Sequence, residues 1–202
     1  MSDKFYLPIF PLNGAILFPK TNLPLNIFER RYLKMVDYAL SKNKKFGMIQ
    51  SKDNGNLYEI GCIGKIISYE ETADGRYLIN IVGEQYFKVL NEKKSQNLFR
   101  TVEAKEFVPD IIKKKIQIKD QTKISLIQKY VNYAESSKQE VDSSLLEKID
   151  SLTLIKFIAM AVRFGTAEKQ MLLETYQTDL LASKLITLFD YYSSNNKSKS
   201  LN

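Results

Sequence analysis

Apolar residues alternate through the first half of the chain and switch to a helical period in the last third. Phe5, Leu7 and Ile9 share one face of an extended segment, and Pro8 and Pro11 confine it to a sheet edge or a strand end. Asn13-Gly14 reads as a turn, Ala15 to Phe18 as a second apolar run stopped by Pro19, and Leu23-Pro24-Leu25 as a third extended piece. A helix is expected next. Asn26 is placed to accept from the free amides of its first turn, and Glu29, three residues on, completes a capping-box-like pair. Phe28, Tyr32, Met35 or Val36, and Ala39 or Leu40 recur at helical spacing, which puts Arg30, Arg31, Lys34 and Asp37 on the opposite face. The helix should end near Ser41.

Further extended segments follow: Phe46 to Gln50, Gly61 to Glu70, Tyr77 to Val82, Tyr86 to Leu90, and Phe99 to Val108, which Pro109 ends. Asp74-Gly75, flanked by two of these runs, is the strongest local signal, a tight hairpin turn. Gly83 is expected to permit a bulge or bend. Six or so short strands with one helix inserted early predict a small, partly closed barrel, so the fold class is α+β.

After Lys119 the period becomes helical. Ile124, Ile127 and Val131 mark one helix, broken at Glu135 to Lys138. A longer one, capped by Ser143 or Ser144, carries Leu145, Ile149, Leu152, Ala159 and Val162, and Gly165 is expected to terminate it. Thr166 should cap a short helix, and Thr178 or Asp179 a last one with Leu181, Leu185, Leu188 and Tyr192 on its face. The expected organisation is a β-barrel domain over residues 1–112, a helical bundle over 118–194 and a disordered tail over 195–202. The boundary falls between Pro109 and Lys123, where trypsin should cut near Lys113 to Lys119.

Composition then narrows the function classes. The chain has 202 residues, 44% of them hydrophobic and 26% charged, enough for a core without a metal or disulfide staple. The single cysteine, Cys62, lies in the apolar run Ile60 to Gly64 and reads as a buried structural thiol, in keeping with a reducing, cytoplasmic setting. No apolar run approaches the roughly 18 residues of a membrane span. The net charge of +7 is spread along the chain, about equally before and after Ile112, rather than gathered into one basic segment. Histidine is absent, which removes His-based triads, the usual zinc sites and imidazole acid–base chemistry. Gly64-Lys65 lacks the surroundings of a phosphate-binding loop, and Gly61-Cys62-Ile63-Gly64 has the spacing of an RNA-clamping G-x-x-G but an apolar strand around it. Glu70-Glu71, the adjacent carboxylate pair on a strand, should point to opposite faces. No catalytic residue, cofactor or metal ligand is expected.

Leu7-Pro8-Ile9-Phe10-Pro11-Leu12, then Phe18-Pro19, Leu23-Pro24-Leu25 and Glu29-Arg30-Arg31-Tyr32, resemble the opening of the Lon protease N-terminal (substrate-binding) domain family. Ile60-Gly61-Cys62-Ile63-Gly64, Asp74-Gly75-Arg76-Tyr77 and Val82-Gly83 are similar to that family's second strand and hairpin pattern, whereas Gln85-Tyr86-Phe87 departs from it at a usually basic position. The match covers Phe5 to Val108; the later helices fit only in kind. The resemblance implies a PUA-like pseudo-β-barrel followed by a helical bundle. It also implies a free-standing, non-catalytic module that binds unfolded or peptide-like protein segments, as an adaptor or recognition factor in proteostasis. RNA binding is the alternative, drawn from the PUA relationship and the positive charge. The expected protein-binding residues are Arg30, Arg31 and Lys34, three cations within about 6 Å of axial rise on one helix, with Tyr32, Val36 and Leu40 turned to the barrel.

Overall fold

The computed structural model describes residues 3–93, 96–109 and 118–199, with side chains to residue 194. The chain divides into two compact units, Met1–Pro109 with Arg163–Glu174, and Asp110–Val162 with Thr175–Asn202. The first cut between these units follows Pro109. The lysine-rich part of the expected boundary region falls in residues 110–117, outside the described residues. The return of Arg163–Glu174 to the first unit is not anticipated by the sequence pattern, which assigns those residues to the helical bundle.

The first unit contains β1 (Lys4–Pro11), β2 (Asn22–Ile27), helix α1 (Arg30–Leu40), β3 (Lys45–Ile49), β4 (Ile60–Glu71), β5 (Tyr77–Lys93) and β6 (Thr101–Phe107). The sheet runs β2-β5-β4-β3-β1-β6, and β6 returns to β5, which closes a barrel. The length of β5, 17 residues, makes this closure work. On one side its first half pairs with β2 (Ile27 opposite Tyr77, Asn22 opposite Val82), and its second half pairs with β6 (Tyr86 opposite Phe107, Lys93 opposite Thr101). β4 lies along the other side from Glu71 opposite Tyr77 to Ile60 opposite Lys88, with register shifts near Gly64 and Ile67. β1 pairs antiparallel with β6 and parallel with β3.

Leu7, Ile9, Ile49, Ile63, Phe87, Val102 and Ala104 form the buried centre. Two glycines make room for Phe87: a Cβ at Gly47 or at Gly61 would stand 2.7 Å from its ring. Gly83 serves a different close approach, since a Cβ there would meet the Phe18 carbonyl oxygen at 2.1 Å. Its amide donates to Thr21 O (2.9 Å) and its carbonyl accepts from Lys20 N (2.7 Å). The run Ala15 to Phe18 is therefore a buried loop, with Ile16, Leu17 and Phe18 inside, rather than an extended piece of the sheet. The Asp74-Gly75 hairpin is present between β4 and β5, with Gly75 at φ +78°.

Helix α5 (Thr166–Leu173) completes the first unit. Gly165 does not terminate the preceding helix; it lies at the start of α5, where its amide donates to Glu168 Oε2 at 2.7 Å. Two glutamines fasten α5 to the barrel. Gln170 Nε2 donates to Ile60 O (3.0 Å), and Gln50 Nε2 donates to Gln170 Oε1 (3.0 Å) and Thr166 O (3.1 Å). Gln50 Oε1 in turn accepts from Gly14 N (2.9 Å). A buried amide needs such partners, and these contacts over long sequence separations explain why the segment joins the sheet.

The second unit contains α2 (Asp120–Ser136), α3 (Ser143–Lys148), α4 (Ser151–Ala161) and α6 (Thr178–Lys199). Its core includes Leu126, Tyr130, Leu146, Leu154, Ile158, Leu181, Leu185 and Phe189. The single long helix expected from Ser143 onward is two helices. Ile149 is extended (ψ 139°), and Asp150 starts α4 afresh by accepting from Thr153 N at 3.0 Å. Asp142, not Ser143 or Ser144, caps α3, accepting from Ser144 N at 2.9 Å. Lys123 Nζ donates to the Glu147 and Ile149 carbonyls, both at 2.7 Å, which satisfies the end of α3. α6 continues to Lys199, into the span expected to be a disordered tail; residues 200–202 lie outside the described ones. No helix among the described residues is long and apolar enough to cross a membrane.

Candidate protein-binding surface

The three predicted cations lie on α1, at its first turn and just beyond. The helix begins later than the spacing implies. Asn26 is paired with Leu78 inside β2–β5, and the first helical residue is Arg30, preceded by an extended Glu29 (φ −72°, ψ 131°). Glu29 therefore makes no side-chain cap, and its carboxylate instead holds Arg31, accepting from Nε at 3.0 Å with NH2 at 2.8 Å. The Arg31 guanidinium also lies 4.5 Å from the centre of the Tyr32 ring. Lys34 Nζ is 3.3 Å from Asp37 Oδ2. Arg30 is exposed and has no hydrogen bond or ion pair among the described residues. Two of the three cations are thus locally offset by exposed pairs of modest strength, and the field at this end of α1 is carried mainly by Arg30.

The apolar side of α1 turns inward. Tyr32, Met35, Val36 and Ala39 are buried, Leu40 is half-buried, and the Tyr32 ring meets Phe10 edge-on with centroids 4.3 Å apart. Burial pushes the Tyr32 hydroxyl pKa upward, opposed in part by Arg31. Phe28 departs from expectation. It precedes the helix instead of lining its buried face and is 63% exposed.

The tertiary structure brings the tip of the β4–β5 hairpin to this helix. Tyr77 OH donates to Asp37 Oδ1 at 3.0 Å, and this bond, with some burial, pushes the phenol pKa up to about 12. Tyr69 meets Tyr77 edge-on at 6.3 Å. Arg76 reaches the Phe28 ring (5.9 Å) while paired with Asp74 (2.8 Å). Tyr69 and Leu78 are largely exposed. Strand alternation puts exposed Phe28, Arg76 and Leu78 on one face of the β2–β5 ladder, beside Arg30 in sequence, and Tyr69 with Tyr77 on the opposite face, toward Asp37. Sequence reasoning found the cations and the hairpin but not their meeting. The register Ile27 opposite Tyr77, which carries Phe28 to Arg76, is a long-range pairing without a local signal.

Cys62 is fully buried at the start of β4, and the Gly61–Gly64 segment is packed inside rather than presenting its backbone to solvent. Glu70 and Glu71 are exposed near the hairpin. An open groove of about 260 Å³ in the second unit is lined by Ile124, Ile127, Val131, Ser143 and Glu147 among others, a mainly apolar contact surface with one carboxylate.

Similarity to known proteins agrees with this architecture. Lon protease of Buchnera aphidicola subsp. Baizongia pistaciae is 24% identical over 196 residues, covering 94% of this chain and 25% of that protein. Lon protease of Escherichia coli K12 is 21% identical over 180 residues, covering 86% and 23%. The chain thus spans about a quarter of the length of these curated relatives. A Lon N-terminal domain protein from Xanthomonas campestris superposes with a TM-score of 0.64 at 19% identity, covering 91% of this chain and 98% of that one. The N-terminal domain of a Mycobacterium avium complex Lon protease gives 0.61 at 17% identity, covering 92% and 98%. These two share the fold. The family described as the ATP-dependent protease La (LON) substrate-binding domain matches residues 6–190, and this chain belongs to that family.

Proposed function

We propose that this chain is a non-catalytic recognition module that captures unfolded or peptide-like protein segments, acting as an adaptor in proteostasis. The observation that carries this reading is the juxtaposition of exposed Phe28 and Leu78 with Arg76 on one face of the β2–β5 ladder, two residues from Arg30 at the start of α1. An unfolded segment offers what this surface lacks: apolar side chains to cover Phe28 and Leu78, and carboxylates for two-point pairing with arginine. Membership of a family named for substrate binding supports the same class of partner. The absence of histidine from the sequence removes imidazole acid–base chemistry and His-based triads.

The experiment is capture of a chemically denatured protein by the full chain and by two variants. One reverses charge at Arg30→Glu, Arg31→Glu and Lys34→Glu; the other removes apolar contact at Phe28→Ser. Both should keep the native circular dichroism spectrum, because all four side chains are exposed. Each should lose on the order of tenfold in affinity, or about 1.4 kcal/mol. Unchanged capture by both variants overturns the assigned surface.

A further inference from the structure

Among the described residues, the second half of β4 has an open strand edge, as has the side of β2 away from β5. β3 accompanies β4 only from Met48 opposite Cys62 to Lys45 opposite Lys65, and the last bond on that side runs from Ile66 N to Lys44 O (2.8 Å). Ile67 is the extra residue at the register shift between Ile66 and Ser68; from Ser68 to Glu71, β4 pairs with β5 on one side and with no described strand on the other. Thr72 N donates to Arg76 O (2.9 Å), so Thr72 faces β5. By the two-residue alternation of an antiparallel ladder, Glu70 and Ser68 also face β5, and the amides and carbonyls of Tyr69 and Glu71 face outward. Residues Ile67 to Glu71 are all exposed, Ile67 by 52% and Tyr69 by 55%. An exposed edge carrying large apolar side chains is a template for another strand.

We propose that this edge pairs with the same edge of a second copy of the chain, antiparallel, with the two-fold axis at Tyr69. Charge favours a second copy over a parallel or unrelated strand. The open edge begins beside Lys44, whose side chain is exposed and has no partner among the described residues, and it ends at Glu70 and Glu71. Antiparallel pairing brings Lys44 of each copy toward Glu71 of the other. Ladder alternation and like-charge repulsion select the register. The outward-facing residues of the free edge are Tyr69 and Glu71, so the axis falls on one of them, and at Tyr69 it avoids facing carboxylates. Glu70 then lies opposite Ser68, and Glu71 opposite Ile67. Moving the axis to Glu71 would place carboxylate on carboxylate, which destabilises a cross-strand pair. The contact is isologous and closed, so it yields a dimer and not a fibre.

The test uses the full chain. Sedimentation from micromolar to about 1 mM should show a monomer–dimer equilibrium, as a short strand pairing gives weak association. Tyr69→Cys should form a disulfide-linked dimer under mild oxidation, since hydrogen-bonded antiparallel partners have Cα atoms about 5.5 Å apart. Cys62, fully buried, does not compete. Lys44→Glu and Glu71→Lys should each weaken dimerisation severalfold, and the double exchange should restore it. A chain that stays monomeric across the range and yields no Tyr69→Cys dimer overturns the proposal. So does a dimer indifferent to both charge changes, which would lie on another surface. Substrate capture is read separately, with the Phe28 and α1 variants, so the two readings fail independently.

Discussion

Lys169 offers the sharpest quantitative test of the structure. Its side chain, on α5, is fully buried, and burial pulls its amine pKa from 10.5 down to about 8. In the unfolded chain the same amine titrates near its ordinary value. Between these two values the unfolded chain holds a proton that the folded chain has released. Stability therefore rises with pH through this window, and the corresponding penalty is fully present below about pH 8. A gap of about 2.5 pH units, at about 1.4 kcal/mol per unit, amounts to about 3.5 kcal/mol, of which about 2.5 kcal/mol should be recovered between pH 7 and pH 10. The perturbation is Lys169→Met, which keeps an unbranched side chain and removes the titrating group. Urea unfolding of both proteins at intervals across pH 7 to 10 gives two stability curves. Other alkaline titrations are common to both and cancel in the difference. The wild-type curve should climb relative to the variant by about 2.5 kcal/mol. Parallel curves would refute the reasoning, because they would mean that the amine is solvated in the folded state and that α5 does not bury it.

Two further outcomes follow from local geometry. Gly83→Ala should destabilise the first unit by about 2–4 kcal/mol, read as a lower urea midpoint, because its Cβ would lie 2.1 Å from the Phe18 carbonyl and force apart the Lys20–Gly83–Thr21 backbone bonds. Asp37→Asn should return the Tyr77 phenol from about 12 toward 10.0, seen by ultraviolet absorbance as the difference from a Tyr77→Phe control; an unchanged titration would show that the Asp37 contact is not formed in solution.

Much of the first unit could be read from local pattern because its strands carry their own signals. The turn at Asp74-Gly75 needs only a residue free to adopt positive φ, and the alternation in β5 needs only one buried face, whereas β1 is buried on both faces from Leu7 to Phe10. The cations at Arg30, Arg31 and Lys34 were legible for the same reason, since helical spacing alone puts them away from Tyr32 and Val36. The start of α1 was misread because Asn26 and Glu29 satisfy a local capping rule, while β2 gains more by continuing its ladder on β5 to Ile27 opposite Tyr77. The break at Ile149 was hidden in a similar way: the apolar period runs through it, and the cap is an aspartate, Asp150, already inside that period.

Sequence by itself determined the class of this protein: strands, then helices, a core without staples, no histidine chemistry, and a family resemblance that the comparisons uphold. Those properties follow from composition, period and short motifs, all of which act over a few residues. Tertiary structure decided the rest. It returned Arg163–Glu174 to the barrel through Gln50 and Gln170, buried Lys169, brought Phe28 to Arg76 and Tyr77 to Asp37, and left the edge of β4 without a strand. Each depends on pairings between residues tens of positions apart. Such contacts form because buried amides need partners and strands compete for neighbours, and neither demand leaves a mark in local spacing.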